Sequence, residues 1–232
     1  MPSVTFDSRS LVLGRSRGQS TRLALVAAAF DPTLVDPSRW EAELRALRHA
    51  GFNAVAMRVP WLMHEPTPDR FVFEGACAVR RAVELAGAAG LKVLLRIGPC
   101  VGGSFAGGGM PAWIAEHAGD RVREANPAFL ERVARFWRRL APHFIDLQAT
   151  RNANGSARPV VAVGLDDDWR SLDAEVGHAY FAALVRFARE CGIEVPLFTA
   201  NNCWYMHEGV IDAWQGAAIA PGTADELRQV EP

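Results

Sequence analysis

The chain alternates short apolar stretches with longer amphipathic ones. Six of the apolar stretches have the length of strands, and most are too continuously apolar to leave one side facing solvent. They are Arg22–Ala29, Asn53–Pro60, Lys92–Gly98, Pro159–Asp166, Val195–Asn201 and Val210–Ala218. Helical stretches separate them, which is the pattern of parallel strands joined by helical crossovers. The chain is therefore predicted to have an α/β fold with both faces of its sheet covered.

Helix signals fill the gaps between these strands. Ser38 is predicted to be the N-cap of the first helix, and Gly51 the residue that ends it. The other helices are predicted over Ala76–Ala89, Pro127–Phe144 and Glu175–Cys191. Gly90 and Gly192 follow the first and last of these in the way that Gly51 ends the first helix. The polar segment Ala149–Arg158 is predicted to be a surface loop.

The composition is that of an ordinary globular domain. With 232 residues, half of them hydrophobic, the chain can bury one sizeable core, and we expect a single domain over residues 1–232. The net charge of -1, without a long run of one sign, offers no electrostatic footprint for a nucleic acid or an anionic membrane. A small neutral ligand fits such a surface better.

The cysteines indicate a reducing compartment. Cys77, Cys100, Cys191 and Cys203 are scattered without a C-x-x-C pair, so neither a zinc site nor a disulfide framework is indicated. The apolar run Leu23–Phe30 is too short to span a membrane and lacks a signal-peptide cleavage site. We therefore expect a cytoplasmic protein with free thiols.

Candidate chemistry lies at the predicted strand ends. An open doubly wound sheet and a closed barrel both fit the alternation, and in barrels the site lies at the carboxyl ends of the strands. Polar groups and aromatic rings stand together there, in Arg58-Val59-Pro60-Trp61, Gly98-Pro99-Cys100, Asp166-Asp167-Asp168-Trp169 and Asn201-Asn202-Cys203-Trp204. A pyranose ring needs both, because it has an apolar face for stacking and hydroxyls for hydrogen bonds. We therefore expect a carbohydrate ligand.

The tryptophans divide into two sets by position. Three of them lie near strand ends and are predicted to stack on the sugar, namely Trp61, Trp169 and Trp204. Three others lie at helical spacing among apolar residues and are predicted to belong to the core, namely Trp40, Trp113 and Trp137.

Other short motifs do not support a different chemistry. His64-Glu65-Pro66 lacks the H-E-x-x-H spacing of a zinc site, and the loop Gly102–Gly109 lacks the Lys-Ser/Thr of a phosphate loop. Ser104 stands near a G-x-S-x-G pattern whose last position is Ala106, so a serine nucleophile is discounted. Asp166–Asp168 carry oxygen ligands, but consecutive strand residues point to opposite faces. We expect neither a metal nor a cofactor.

A series of motifs runs in order from Trp40 to Trp113. It comprises W-x-x-x-L-x-x-L, Gly51-Phe52-Asn53-Ala54-Val55, Val59-Pro60-Trp61, His64-Glu65-Pro66, Phe71-x-Phe73, Gly90-Leu91-x-Val93, Arg96-x-Gly98-Pro99 and Gly108-Gly109-x-Pro111-Ala112-Trp113. The series resembles the N-terminal part of the family 35 β-galactosidases, and a weaker similarity continues through Pro159–Trp169, Val195–Asn201 and Glu226–Pro232. The resemblance implies a (β/α)8 TIM barrel of which this chain has about six βα units, ending before the seventh strand.

The resemblance also implies a chemistry. Family 35 enzymes hydrolyse a terminal sugar with retention, using two carboxyl groups about 5 Å apart, an acid/base and a nucleophile. The acid/base position, the last carboxylate of an Asn-Glu pair after strand four, matches Asp168, which is one methylene shorter than Glu. Asp167 matches the amide that binds the sugar's 2-hydroxyl. The nucleophile belongs to strand seven, so no residue up to Pro232 is assigned to it.

Three further pocket positions differ from the family pattern. Arg58 and Cys100 each stand where the family has a tyrosine, and Ser104 stands where a glutamate holds the galactose hydroxyls. A polar site that loses its partners stops discriminating its sugar, and the guanidinium of Arg58 suggests an acidic sugar instead. Asn201, at the end of the fifth strand, completes the predicted substrate-binding set.

Two hypotheses follow. The first is a β-galactosidase-like glycoside hydrolase with Asp168 as its acid/base. The alternative is a catalytically inactive or repurposed barrel that binds a carbohydrate or a protein partner through its altered strand ends. If the chain is complete at Pro232, two strands of the barrel are absent, and we expect a homodimer to cover the open edges.

Overall fold

The computed structural model describes residues 3–6, 10–14, 20–119, 121–151, 158–169, 174–200 and 210–212. Its first sheet is antiparallel and contains β1 (Ser3–Phe6), β2 (Leu11–Gly14) and β3 (Ser20–Leu23). The second sheet is parallel and contains β4 (Ala27–Ala29), β5 (Ala54–Arg58), β6 (Lys92–Gly98), β7 (Val160–Leu165), β8 (Leu197–Thr199) and β9 (Val210–Asp212). These six strands lie side by side in chain order, as in a barrel wall, whereas a doubly wound sheet reverses its order at a switch point.

Among the described residues, six α-helices accompany the parallel sheet. They are α1 (Trp40–His49), α2 (Trp61–His64), α3 (Val79–Ala88), α4 (Trp113–Ala118), α5 (Pro127–Leu140) and α6 (Ala174–Glu190). All six residues of β7 are buried, as its continuous apolar stretch predicts. Within the described residues β4 and β9 are the outer strands and do not pair with each other, so the barrel is not closed.

The first predicted strand, Arg22–Ala29, is two strands in the structure. Its beginning belongs to β3 of the antiparallel sheet and its end to β4 of the parallel one. The break is made by the side chain of Asn53, which accepts a hydrogen bond from the backbone N–H of Val26 (2.8 Å) and donates one to the carbonyl of Ala24 (2.7 Å). A side chain therefore replaces the ladder bonds that would continue one strand into the other.

The helix ends agree with the sequence signals except at three places, one of which is the helix predicted from Ala76, which begins at Val79 after a 3-10 turn over Gly75–Cys77. Gly51, Gly90 and Gly192 have φ values of 98°, 78° and 84°, which confirms the left-handed residues predicted after their helices. Ser38 is not the N-cap of α1. Its hydroxyl donates to the carboxylate of Asp36 (2.6 Å), and the helix begins one residue later than that prediction requires.

The helix predicted to end at Phe144 ends earlier because of a proline. Pro142 has no N–H, and its ring clashes with the carbonyl four residues before it, so α5 stops at Leu140 and a 3-10 turn follows. Asn126 caps the other end by accepting from the N–H of Ala128 (3.0 Å). The apolar stripe that the spacing indicates in this helix is buried throughout: Phe129, Val133, Phe136 and Leu140.

Two further features concern membrane spans and cysteines. No helix in the described ranges combines the length and the apolar character needed to cross a membrane. Cys77, Cys100 and Cys191 are free thiols, while Cys203 lies outside the described residues.

Candidate active site

The carboxyl ends of β5 to β8 meet at one edge of the sheet, because the strands are parallel and adjacent. The chain leaves β7 through three consecutive aspartates, Asp166–Asp168, which form a turn. Their backbone N–H groups donate to carbonyl oxygens of Gly98 (3.0 Å), Cys100 (2.9 Å) and Ala200 (2.9 Å), in that order. The turn is therefore fastened to the chain at the end of β6 on one side and to the chain after β8 on the other.

The first two aspartate side chains are buried and point to different partners. Asp166 accepts from the backbone N–H of Cys100 (2.9 Å) and from Nε of Arg123 (3.1 Å). Asp167 accepts from Nη1 of Arg96 (2.8 Å) through one oxygen, while its Oδ1 has no hydrogen-bond partner among the described residues. Both carboxylates are about 1% exposed, so neither is placed to contact a ligand directly.

Asp168 differs from the two aspartates before it. Its side chain is partly exposed, and within the described part of the chain its carboxylate has no hydrogen bond or ion pair. Its Oδ2 lies 3.4 Å from the point where a Cβ on Gly102 would stand, and Nη1 of Arg58 lies 3.9 Å from the same point. The open carboxylate of this edge thus faces the glycine-rich loop after β6.

Three arginine–aspartate pairs surround the turn. Arg96 pairs with Asp167 and Arg123 with Asp166, and a third pair joins Arg58 to Asp31, with Nε 2.8 Å from Oδ1. Asp31 and Arg123 were not among the residues predicted for the site. They lie 27 and 43 residues from their partners, and no local motif signals such a pairing.

The environment of Arg58 removes the reason for expecting an acidic sugar. Its Nε and Nη2 make a two-point ion pair with Asp31, so the charge of Arg58 already has a carboxylate partner within the protein. The same group lies over the ring of Phe105, 5.1 Å from the centroid. With its side chain only 18% exposed, Arg58 forms part of the wall of the site.

Burial perturbs the two inner carboxyls. It raises the pKa of Asp167 to about 6. The ion pair with Arg96 opposes this rise, and the neighbouring charges of Asp166 and Asp168 add to it. Burial also raises the pKa of Asp166, while Arg123 opposes it. The charge of this edge therefore changes near pH 6, through a group that lies behind Asp168.

Cys100 and Gly108 hold the glycine-rich loop in place. A Cβ on Gly108, whose φ is 66°, would stand 2.4 Å from the sulfur of Cys100, so no larger residue fits there without movement. Burial raises the pKa of Cys100 to about 11, and the thiol is neutral at ordinary pH. Cys100 is 4% exposed, so the predicted substrate contact is not available to it, whereas Ser104 is exposed on the loop.

The prediction that Trp61 and Trp169 stack on a sugar is wrong. Trp61 is 0% exposed and stacks on Phe136 with ring centroids 5.2 Å apart. Trp169 is 3% exposed, meets Phe181 edge to face, and donates from Nε1 to the carbonyl of Arg123 (3.0 Å). Position near a strand end did not reveal that the rings turn inward. The core set, Trp40, Trp113 and Trp137, is confirmed, while Asn201 and Trp204 lie outside the described residues.

The segment His64-Glu65-Pro66 is structural, as its spacing indicates. Glu65 is buried and accepts hydrogen bonds from Nε1 of Trp61 (2.7 Å) and from the backbone N–H of Asp69 (2.9 Å). His64 is also buried, with Nδ1 facing the carbonyl of Pro60 (2.9 Å). Over the described ranges, no three His, Cys, Asp or Glu side chains converge in a way that could hold a metal ion.

Comparison with known proteins agrees with this architecture. Residues 18–221 match the family model described as glycosyl hydrolases family 35. The chain is 34% identical to a β-galactosidase of Mus musculus over 164 residues, covering 70% of this chain and 24% of that protein. It is 28% identical to a probable β-galactosidase A of Aspergillus fumigatus over 224 residues, covering 95% of this chain and 20% of the relative. The chain thus spans about a quarter or less of these relatives.

Solved structures share the fold. An exo-β-1,4-mannosidase from Opitutaceae bacterium strain TAV5 matches with a TM-score of 0.60 at 20% identity, covering 84% of this chain and 34% of that one. A β-galactosidase from the psychrophilic Marinomonas ef1 matches with a TM-score of 0.55 at 14% identity, covering 75% and 36%. At such identities the likeness supports the barrel fold alone. The family match over most of the chain is decisive, and the protein belongs to glycosyl hydrolases family 35.

Proposed function

We propose that this chain forms part of a retaining, β-galactosidase-like glycoside hydrolase that removes a terminal sugar, and that Asp168 is its acid/base. One observation supports the role of Asp168 above all. Of the three aspartates after β7, it alone has a partly exposed carboxylate without an arginine partner among the described residues. Curated relatives that carry the name β-galactosidase support the reaction.

In the proposed mechanism Asp168 donates a proton to the glycosidic oxygen as the bond to the sugar breaks. A second carboxylate, about 5 Å away, attacks the anomeric carbon and forms a glycosyl-enzyme. Asp168 then removes a proton from the water that hydrolyses this intermediate. No described residue is assigned as the nucleophile. The bonds that fasten Asp166, Asp167 and Asp168 to the neighbouring strands hold the acid/base in place, which matters because misplacement of about 1 Å can cost roughly a hundredfold in rate.

The proposed substrate is a neutral sugar. Each arginine at this edge has an aspartate partner, so no free cation remains among these three to attract an acidic one. Asp168 and the exposed Ser104 are the predicted site residues best placed to meet the sugar. Arg58, Cys100 and Asp167 are proposed to shape the pocket from behind.

Hydrolysis assays test this proposal. Wild type and Asp168→Asn would be compared on nitrophenyl β-galactoside and a panel of other nitrophenyl glycosides. Loss of the general acid is expected to lower kcat by about 10²- to 10⁴-fold. Asp146→Asn is the matched control, because Asp146 is an exposed carboxylate that also pairs with an arginine, Arg80, and does not belong to the aspartate turn. Equal rates for wild type and Asp168→Asn would refute the role of Asp168. Binding of sugar without hydrolysis by wild type would favour the repurposed barrel.

A homodimer is also proposed, on the basis of the outer strand β4. Ala27 and Ala29 are exposed on it, and a cleft of about 290 Å³ lies beside it, lined in part by Phe30, Leu34 and Leu47. The free N–H and C=O groups of an outer strand can form hydrogen bonds with a strand of another chain. A monomeric mass in light scattering would contradict the dimer. A cytoplasmic location, no nucleic-acid partner and a single domain over residues 1–232 stay predictions.

A further inference from the structure

Arg123 lies in the loop between α4 and α5 and contacts the aspartate turn. Its Nε donates to Oδ2 of Asp166 (3.1 Å) and its Nη2 to the carbonyl oxygen of Asp167 (2.8 Å). Its own carbonyl accepts from Nε1 of Trp169 (3.0 Å). Arg123 therefore bonds to the residues on both sides of Asp168.

The backbone at this point is strained. Asp166, Asp168 and Arg123 are not glycines, yet they have φ values of 39°, 55° and 60° in the left-handed region. Such conformations are costly for residues with a Cβ and persist only where surrounding bonds enforce them. Arg123 is one of these three residues and also bonds to the turn that contains the other two.

The contact between Arg123 and Asp166 also matters because it pairs a buried charge. The carboxylate of Asp166 is fully buried, and its hydrogen bonds come from Arg123 and from the backbone N–H of Cys100. Without the guanidinium, the buried carboxylate would keep the backbone N–H of Cys100 and the nearby hydroxyl of Tyr180 but would lose its cationic partner, and a buried charge without such a partner is costly. An arginine is required here, because its guanidinium donates to the side chain of Asp166 and to the carbonyl of Asp167 at the same time.

We propose that Arg123 is a positioning residue of this site. It clamps the turn Asp166–Asp168 so that the carboxylate of Asp168 faces the open side beside Gly102, and it takes no part in the chemistry itself. The effect on catalysis rests on the proposed function, whereas the effect on the turn does not.

Three variants test the proposal: Arg123→Ala, Arg123→Lys and the control Arg121→Ala. Arg121 belongs to the same loop and pairs with Glu124 (3.0 Å), but its side chain is 72% exposed. Hydrogen exchange by mass spectrometry would follow the peptide that covers residues 160–169, with α5 as the internal reference. We expect the turn to exchange about tenfold faster in Arg123→Ala, less so in Arg123→Lys, and at the wild-type rate in Arg121→Ala.

Kinetics give the second measurement. Arg123→Ala is expected to lower kcat by about a hundredfold with little change in KM, because the loss concerns the orientation of Asp168 and not the binding of sugar. Added guanidinium at a concentration that leaves the fold intact should restore part of the rate. Should Arg123→Ala fail to fold, Arg123→Lys provides the same comparisons, with a smaller effect.

Failure of the positioning role of Arg123 and failure of the proposed hydrolase function give different results. Unchanged exchange of the turn in both Arg123 variants would overturn the positioning role, whatever the activity. Equal losses of kcat in Arg123→Ala and Arg121→Ala would overturn it too. A wild-type protein that hydrolyses no glycoside, but whose turn exchanges faster without Arg123, would end the proposed function and uphold the clamp.

Discussion

His64 is expected to make the stability of this protein depend on pH. The imidazole is 1% exposed, Nδ1 donates to the carbonyl of Pro60 (2.9 Å), and Nε2 has no partner among the described residues. Its ring lies against Phe73 and Phe136. Burial lowers the pKa of His64 from 6.5 to about 4, so the folded protein keeps the ring neutral where the unfolded chain protonates it.

The direction and size of this pH dependence follow from the difference in proton binding between the folded and the unfolded state. Between pH 6.5 and 4 the unfolded state binds the proton and the folded state does not, so the free energy of unfolding decreases as the pH falls through this window. At about 1.4 kcal/mol per pH unit, the full window corresponds to about 3 kcal/mol, of which about 2 kcal/mol is lost between pH 7 and pH 4.5. That is a large fraction of the stability of an ordinary domain.

The variant His64→Asn isolates this effect, because its amide keeps a donor for the carbonyl of Pro60 but does not titrate. Urea unfolding followed by tryptophan fluorescence at pH 7 and pH 4.5 would give the free energies. The variant should be less stable at pH 7 because aromatic contacts are lost. Its further loss on going to pH 4.5 should be smaller than that of wild type by about 2 kcal/mol.

A matched control is available in α1. The Nδ1 atom of His49 faces the carbonyl of Arg45 (2.7 Å), the same bond to a residue four positions earlier, but on an exposed surface. His49→Asn should therefore retain the pH dependence of wild type. If His64→Asn loses as much stability between the two pH values as wild type does, the buried neutral histidine is not the cause.

Two further predictions concern the strand ends. Asp167→Asn should have the opposite effect on pH dependence, because the raised pKa of Asp167, about 6, means that wild type loses stability from this group as the pH rises from about 4 to 6. Between pH 4.5 and pH 7 the free energy of unfolding should therefore rise more with pH in Asp167→Asn than in wild type, as measured by urea unfolding, and equal changes in the two proteins would contradict this. Gly108→Ala should lower the melting temperature, since its Cβ would stand 2.4 Å from the sulfur of Cys100 at a left-handed φ. The double variant with Cys100→Ala should recover part of that loss, and a purely additive result would show that the collision does not matter.

Much of the scaffold could be predicted from local patterns. The apolar stretches predicted β5 to β8, since a strand covered on both faces has to be apolar throughout. Gly51, Gly90 and Gly192 predicted three helix ends, because glycine tolerates the left-handed conformation there. The split of the first strand was not predictable in this way, because it depends on the side chain of Asn53, which lies 27 and 29 residues from the groups that it bonds.

The candidate site was predicted in position but only partly in composition. The aspartate turn lies at the carboxyl edge of the sheet, as expected, and Asp168 is its open carboxylate. Trp61 and Trp169, however, point into the core, where aromatic partners from α5 and α6 cover them. A tryptophan next to a strand end carries no local signal of which way its ring turns.

The sequence by itself determined where most strands and helices lie along the chain, and the family, because these follow from the spacing of apolar residues, from glycine and proline, and from motifs a few residues long. Only the tertiary structure decided which charges meet. Arg58 pairs with Asp31, Arg96 with Asp167 and Arg123 with Asp166 across 27, 71 and 43 residues. Such pairs form because burial penalises an unpaired charge, and burial depends on how the whole chain folds and not on any segment alone. Those pairs leave Asp168 as the open carboxylate of the three.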